Sequence, residues 1–112
     1  MAGAMKRGDL VIVSVAGDYG KPRPAVIIQS DNVKATDSIL LALLSSTFID
    51  APIYRLAVKP TAANGLKVPS QIMVDKITAM PRSKCGKVIG RLDDSALLVL
   101  NQMISVVVGI AD

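Results

Sequence analysis

Apolar residues come along this chain in short blocks separated by polar, glycine- or proline-bearing stretches, and only the last block has helical spacing. Residues 10–16 are rich in β-formers and apolar on both faces, the mark of a buried strand. A loop over 16–22 with Gly17, Asp18 and Gly20 leads into a second apolar strand over 24–29. Residues 30–37 form a polar loop, and 38–44 a third strand that runs out into Ser45, Ser46 and Thr47. Weak alternation over 53–58, with Arg55 between Tyr54 and Leu56, predicts a less buried strand. Residues 59–69, which include Asn64 and Gly65, form turn and loop; further strands are predicted over 71–78 and, briefly, over 87–91.

Asp93, Asp94 and Ser95 then supply side-chain oxygens suited to cap a helix start. In the helix predicted over 96–108, Leu97, Leu100, Ile104 and Val107 line one face, widened by Leu98, Val99, Met103 and Val106, and Gly109 is the stop. A terminal helix this apolar requires cover on more than one side. The sum is a mainly β fold, a small, strongly bent, mostly antiparallel sheet or open barrel with one C-terminal α-helix. No repeat, linker or low-complexity tract divides the 112 residues. Residues 1–112 are therefore read as one domain, with 1–5 as a disordered start or a cloning remnant before Met5.

Composition narrows the class. A hydrophobic content of 51% excludes a disordered chain, and 3% aromatic residues leave the core to Val, Ile, Leu and Ala. The longest clean apolar run, 39–44, is six residues, far below the roughly 20 needed to cross a bilayer. Residues 1–9 lack the apolar stretch of a secretion signal, and one cysteine, Cys85, forms no internal disulfide. A cytoplasmic protein with no membrane partner is expected, with Cys85 inert. The net charge of +4 is uneven: Lys76, Arg82, Lys84, Lys87 and Arg91 fall between Asp75 and Asp93 with no acid among them. Such a stretch suits a polyanion or an acidic protein, or is an ordinary solvated surface.

Several chemistries are excluded by what is missing. With no histidine there is no imidazole acid, base or metal ligand, and no Ser-His or Cys-His nucleophile. One cysteine cannot build a zinc site, and no GxGxxG or P-loop is present, so neither cofactor nor metal is expected. Glutamate is absent too; the acids are nine aspartates. RNA cleavage by the neighbouring 2′-hydroxyl is one reaction that the remaining residue types can run, because the substrate brings its own nucleophile.

One segment fits that demand. Arg23 stands between Pro22 and Pro24, after a glycine-bearing loop and before an apolar strand. Proline fixes its own φ and keeps the preceding residue out of the helical region, so Arg23 is held extended at a strand mouth. A guanidinium presented in that way suits a phosphate.

With these residues in view, the chain resembles the MazF/PemK/Kid family of toxin–antitoxin endoribonucleases over about residues 6–110. The landmarks are Arg7-Gly8-Asp9, Gly20-Lys21-Pro22-Arg23-Pro24-Ala25-Val26-Ile27, Ser45-Ser46, the run from Leu66-Lys67-Val68-Pro69-Ser70-Gln71 to Asp75-Lys76-Ile77, Gly90-Arg91-Leu92, and Val108-Gly109-Ile110. Their order and spacing carry the likeness. The resemblance implies an SH3-like barrel with a C-terminal helix, working as a homodimer. It implies a ribosome-independent, metal-independent, sequence-specific endoribonuclease that cuts single-stranded RNA or mRNA, leaving a 2′,3′-cyclic phosphate and a 5′-hydroxyl. It also implies a cognate antitoxin with an acidic disordered C-terminal tail, through which alone operator DNA would be met.

Carried over residue by residue, Arg23 matches the family's catalytic arginine. Ser45 matches a position that is usually threonine, and Ser46 beside it shares the claim to the catalytic hydroxyl. Asp75 matches a polar position proposed in catalysis or base contact, or else pairs with a surface cation. Ser70, Gln71, Lys21 and Lys76 are expected to contact RNA. Tyr19 either stacks on a base or covers the barrel edge. Asp18, Tyr19 and Lys21 stand where relatives often have His or Glu, a departure that bears on base catalysis and cleavage preference. Two rival functions remain: a CcdB-like, non-catalytic poison of DNA gyrase, whose tryptophan before the terminal glycine is missing here, and a barrel that binds RNA or protein without cutting it.

Overall fold

A computed structural model describes residues 5–14 and 21–111. Six strands appear in chain order: β1 (Asp9–Ser14), β2 (Pro22–Ile27), β3 (Ser38–Ser45), β4 (Arg55–Val58), β5 (Ser70–Pro81) and β6 (Cys85–Arg91). A 3₁₀ turn over Arg82–Lys84 joins β5 to β6, and α1 (Asp94–Val107) follows. The strands form one sheet in the order β4-β5-β3-β2-β1-β6, every neighbour antiparallel.

Both faces of the sheet are apolar because both are covered. Leu10, Val26, Ala42, Leu44, Ile72 and Val74 gather on one face, where Leu97, Leu100, Met103 and Ile104 of α1 pack against them. Val11, Val13, Ala25, Ile27, Ile39, Leu41 and Cys85 form a second layer on the other face, with Met5, Leu43 and Met80 at its margin. Leu10 of β1 thus enters one core and Val11 and Val13 the other, with Ile12 half-buried between them, which explains why 10–13 is apolar without interruption.

β5 is where the sheet bends. Between the pairs Ala42–Ile77 and Leu44–Ile72, β3 advances two residues while β5 advances five. The surplus residues form a bulge that kinks the strand, and Asp75 and Lys76 lie within it. The strand continues to Pro81, beyond the predicted end at 78, because its second half still pairs with the start of β3. β6 likewise starts earlier than predicted, and β4 starts later, at Arg55.

The expected barrel does not close by strand pairing: β4 and β6 are the two free edges of the order. The loop over 59–69 bridges the gap instead. Asn64 organises it, its Oδ1 accepting from Thr61 N–H at 3.0 Å and Leu66 N–H at 2.9 Å while Nδ2 donates to the Lys59 carbonyl at 2.8 Å. The loop then docks on β6 through a bond from Arg91 N–H to the Ala63 carbonyl at 2.9 Å. Open sheet plus bridging loop gives the bent architecture its closure.

α1 is delimited as its sequence demands. Asp93 is the N-cap, its Oδ1 accepting from Ala96 N–H at 2.7 Å and from the Ser95 hydroxyl at 2.9 Å. These bonds, the backbone one foremost, hold its carboxyl below the usual carboxylate range. Gly109 takes φ +81 at the other end, and Ile110 N–H bonds the Ser105 carbonyl while Gly109 N–H bonds that of Val106. That is a Schellman ending. No helix among the described residues is long and apolar enough to cross a membrane.

Candidate functional site

A gap opens between β2 and β3, and the prolines account for it. Ile28 N–H donates to the Leu40 carbonyl, so even-numbered positions along this strand turn their backbone groups toward β3. At 24 and 22 those positions are prolines with no N–H to give. The β2–β3 ladder accordingly pairs Ala25 with Leu43, Val26 with Ala42 and Ile27 with Leu41, and stops short of Pro24. On its other side Arg23 stays in register with Val13 of β1, so its backbone remains fixed.

A cleft of about 250 Å³ occupies that gap, lined by Lys21, Pro22, Arg23, Pro24, Leu44, Ser46, Val68 and Ser70. Two of these side chains are cationic, two carry hydroxyls and none is acidic, so the cleft favours an anion. Arg23 is half-buried, whereas Lys21 and Ser46 are exposed. The Ser70 hydroxyl is buried and donates to the Val68 carbonyl at 3.1 Å, so its proton is already committed. A guanidinium, an ammonium and a hydroxyl converging beside an apolar wall can bind and polarise a phosphodiester.

The remaining predicted residues fall around this cleft or away from it. Extending the Ala25–Leu43 register by two residues sets Arg23 opposite Ser45 on a shared face. The Ser45 hydroxyl, however, is turned into its own strand end: it accepts from Thr47 N–H at 3.1 Å and donates to the Thr47 carbonyl at 3.4 Å. Of the two serines left open by the sequence, Ser46 is the one that lines the cleft. Gln71 is cross-strand partner to Ser45, but its carboxamide is buried and bonded to the backbone of Ile49. Asp75 lies outside the cleft lining and is paired with a cation, Arg55, whose side chain is nearly buried rather than on the surface. Lys76 is exposed in the β5 bulge, and Tyr19 lies outside the described residues. Leu44 and Val68, which wall the cleft, were not singled out as site residues from the sequence: Leu44 is one apolar strand residue among several, and Val68 stood only inside the 66–71 landmark.

A larger cavity of about 770 Å³ lies at the opposite end of the sheet, beside Gln29, Lys34 and Arg82, and holds none of the predicted site residues. Among the described residues no group of three His, Cys, Asp or Glu side chains is placed to hold a metal ion. Cys85 is buried, and burial pushes its thiol up from the ordinary value against the opposing charge of Arg82.

Comparison with known proteins places this architecture. Residues 6–108 match the family described as "PemK-like, MazF-like toxin of type II toxin-antitoxin system". A protein of Mycolicibacterium smegmatis (strain ATCC 700084 / mc(2)155), named "Probable endoribonuclease MazF", is 39% identical over 108 residues, which is 96% of this chain and 99% of that protein. The chain belongs to the PemK-like, MazF-like toxin family. Solved structures share its fold at lower identity. An endoribonuclease in complex with its cognate antitoxin from Mycobacterial species superposes with a TM-score of 0.80 at 16% identity, covering 96% of this chain and 97% of the other. The Mycobacterium tuberculosis toxin MazF-mt6 gives 0.77 at 24%, covering 90% and 96%. A MazE-MazF structure from Deinococcus radiodurans gives 0.74 at 15%, covering 93% and 94%.

Proposed function

We propose that this toxin is a sequence-specific endoribonuclease that cuts single-stranded RNA in the cytoplasm, without a metal, by activating the substrate's own 2′-hydroxyl. The 2′ oxygen attacks the adjacent phosphorus as its proton leaves, the bond to the 5′ oxygen breaks, and a proton reaches that oxygen. The products are a 2′,3′-cyclic phosphate and a 5′-hydroxyl. Arg23 binds the scissile phosphate and stabilises the charge that grows on its free oxygens, with Lys21 adding to the local field. The Ser46 hydroxyl donates a hydrogen bond to the same group.

The observation that carries this reading is the cleft between β2 and β3, lined by Arg23 and Ser46 and by no acid among the described residues. The name of the Mycolicibacterium relative supports it. Leu98, Val99, Val106 and Ile110 of the C-terminal segment are exposed, an apolar surface that supports a homodimer. The net charge of +4 supports neutralisation by an antitoxin with an acidic tail. Purified protein incubated with a long single-stranded RNA in EDTA tests the proposal. Defined fragments with cyclic-phosphate ends are expected; intact RNA together with gyrase inhibition would transfer the case to the rival reading.

A further inference from the structure

The segment 46–54, between β3 and β4, turns large apolar side chains to water: Phe48 is 49% exposed, Ile49 43% and Ile53 65%. Phe48 is the one phenylalanine of the chain. A loop of this composition buries little of its own surface, yet it is fastened at two points. At its middle the Gln71 carboxamide pairs with the Ile49 peptide as a strand would, accepting from Ile49 N–H at 3.1 Å and donating to the Ile49 carbonyl at 3.0 Å. Gln71 is itself 6% exposed, so the clamp is built from the sheet side. At the far end the Arg55 guanidinium lies 5.8 Å from the centre of the Tyr54 ring, and Val74 N–H donates to the Tyr54 carbonyl at 3.0 Å.

The near end of the same segment is Ser46, on the cleft wall. Phe48 follows two residues later, within about 7 Å of it along the chain. An exposed aromatic ring whose neighbouring peptide is fixed before any ligand arrives, two residues from an anion-favouring cleft, has what nucleobase stacking needs. Val68, 51% exposed, gives the cleft an apolar wall of its own.

We propose that Gln71 is a positioning residue, its clamp on Ile49 fixing the loop so that Phe48 stacks on the nucleobase next to the phosphate held at Arg23. This rests on the RNA-cleavage reading above and adds a base subsite to it. A nucleobase is favoured over a protein side chain because Phe48 stands two residues from Ser46, which lines the cationic, hydroxyl-bearing cleft.

The test measures two things: cleavage of a single-stranded RNA, and the affinity for a 2′-deoxy version of the cut fragment, which cannot react. Phe48→Ala, at an exposed position that leaves the core intact, is expected to weaken the deoxy oligonucleotide and raise KM by roughly 5- to 100-fold, with kcat within about threefold. Phe48→Trp is expected to restore both. Gln71→Ala is expected to reproduce the loss although the ring is still present, and the double variant to bind no worse than the weaker single one. A merely structural glutamine would lower the melting temperature and leave KM alone; Gln71→Glu, which keeps shape and acceptor, serves where Gln71→Ala does not fold. Wild-type affinity in Phe48→Ala, or losses that add in the double variant, overturns the inference while cleavage by the parent stands. A parent that neither binds nor cuts RNA overturns the nuclease reading as well.

Discussion

Arg55 grips Asp75 with two nitrogens: Nε donates to Oδ1 at 2.9 Å, and Nη2 reaches Oδ2 at 3.4 Å. The Arg55 side chain is 8% exposed and that of Asp75 30%, so water screens the pair from one side only. Removing the carboxylate strands a nearly buried guanidinium. Asp75→Ala is expected to cost about 1–3 kcal/mol, below the figure for a fully buried pair because solvent reaches this one. A urea midpoint measures it. At temperatures where the variant is folded, kcat is expected to stay within about threefold. A hundredfold fall in kcat with an unchanged midpoint would instead move Asp75 into the reacting machinery.

Arg23 makes the opposite prediction. It stands at the start of β2, where Pro22 and Pro24 have already ended the ladder to β3 and pairing with Val13 holds its backbone whatever the side chain. Arg23→Ala is expected to reduce cleavage by about 10²–10³-fold, the scale of losing a charge donor at the transition state, while the melting temperature changes little. Arg23→Lys is expected to recover only part of it, since a point charge replaces a planar fork. Single-turnover cleavage beside a thermal melt separates the two effects, and wild-type rates in Arg23→Ala would remove the residue from the site.

These contrasts show what the sequence made legible. Pro22-Arg23-Pro24 is a local signal, since both its backbone effect and its chemistry lie in three consecutive residues. The helix was equally readable, because cap, period and stop are all local to 93–110. The partners of Asp75 and Gln71 were not: each is some 20 residues away in sequence, at Arg55 and Ile49, brought close by the pairing of β4 and the preceding loop with β5. Ser45 and Ser46 differ by a single step along a strand, and which of them faces the cleft depends on how that strand ends. The open, bent sheet was within reach of the sequence, but what bridges its edges was not. Strand count and length follow from hydrophobic blocks, but closure depends on a bulge in β5 and on the loop docked to β6.

Cys85 carries a chemical prediction. Its side chain lies in the second core layer, where burial raises the thiol above its ordinary value and Arg82 only partly opposes this. A raised value means less thiolate at any given pH, and the thiolate is the reactive form. Alkylation of the native protein at pH 8 is expected to be at least about tenfold slower than in urea. Mass spectrometry of quenched samples reads it directly, and equal rates would mean that the layer is open to solvent.

Asp93 predicts how α1 responds to acid. The Ala96 N–H and then the Ser95 hydroxyl hold its carboxyl below the ordinary value in the folded chain. A lowered folded value means that the cap's contribution is fully present above the unfolded value, near 4, and is lost as pH falls through the lower folded one. The melting temperature is therefore expected to lose this contribution below about pH 4 and not between 7 and 5. Asp93→Asn, which cannot titrate, is expected to flatten that part of the acid limb. An identical limb in parent and variant would assign the fall to other carboxylates.

The seam between the 59–69 loop and β6 is the least forgiving part of the fold. A Cβ on Gly90 would stand 2.4 Å from the Ala63 carbonyl oxygen and 2.4 Å from the Asn64 carbonyl carbon. Both are backbone atoms of a loop already fixed by Asn64, so neither side can yield without breaking those bonds. On Gly65 the Cβ would stand 2.1 Å from the Ile89 carbonyl oxygen, at a φ of +71 that other residues adopt only with strain. Gly90→Ala is expected to cost about 1–3 kcal/mol from overpacking alone. Gly65→Ala adds about 1–2 kcal/mol for its left-handed backbone. Gly86→Ala is the control, because its nearest neighbour, the Ile12 carbonyl oxygen, is 3.2 Å away. Since one opened seam relieves both clashes, the Gly65→Ala/Gly90→Ala double variant is expected to lose less than the sum. Urea midpoints for the four proteins decide the matter: equal losses at Gly86 and Gly90 would mean that the loop does not close the sheet.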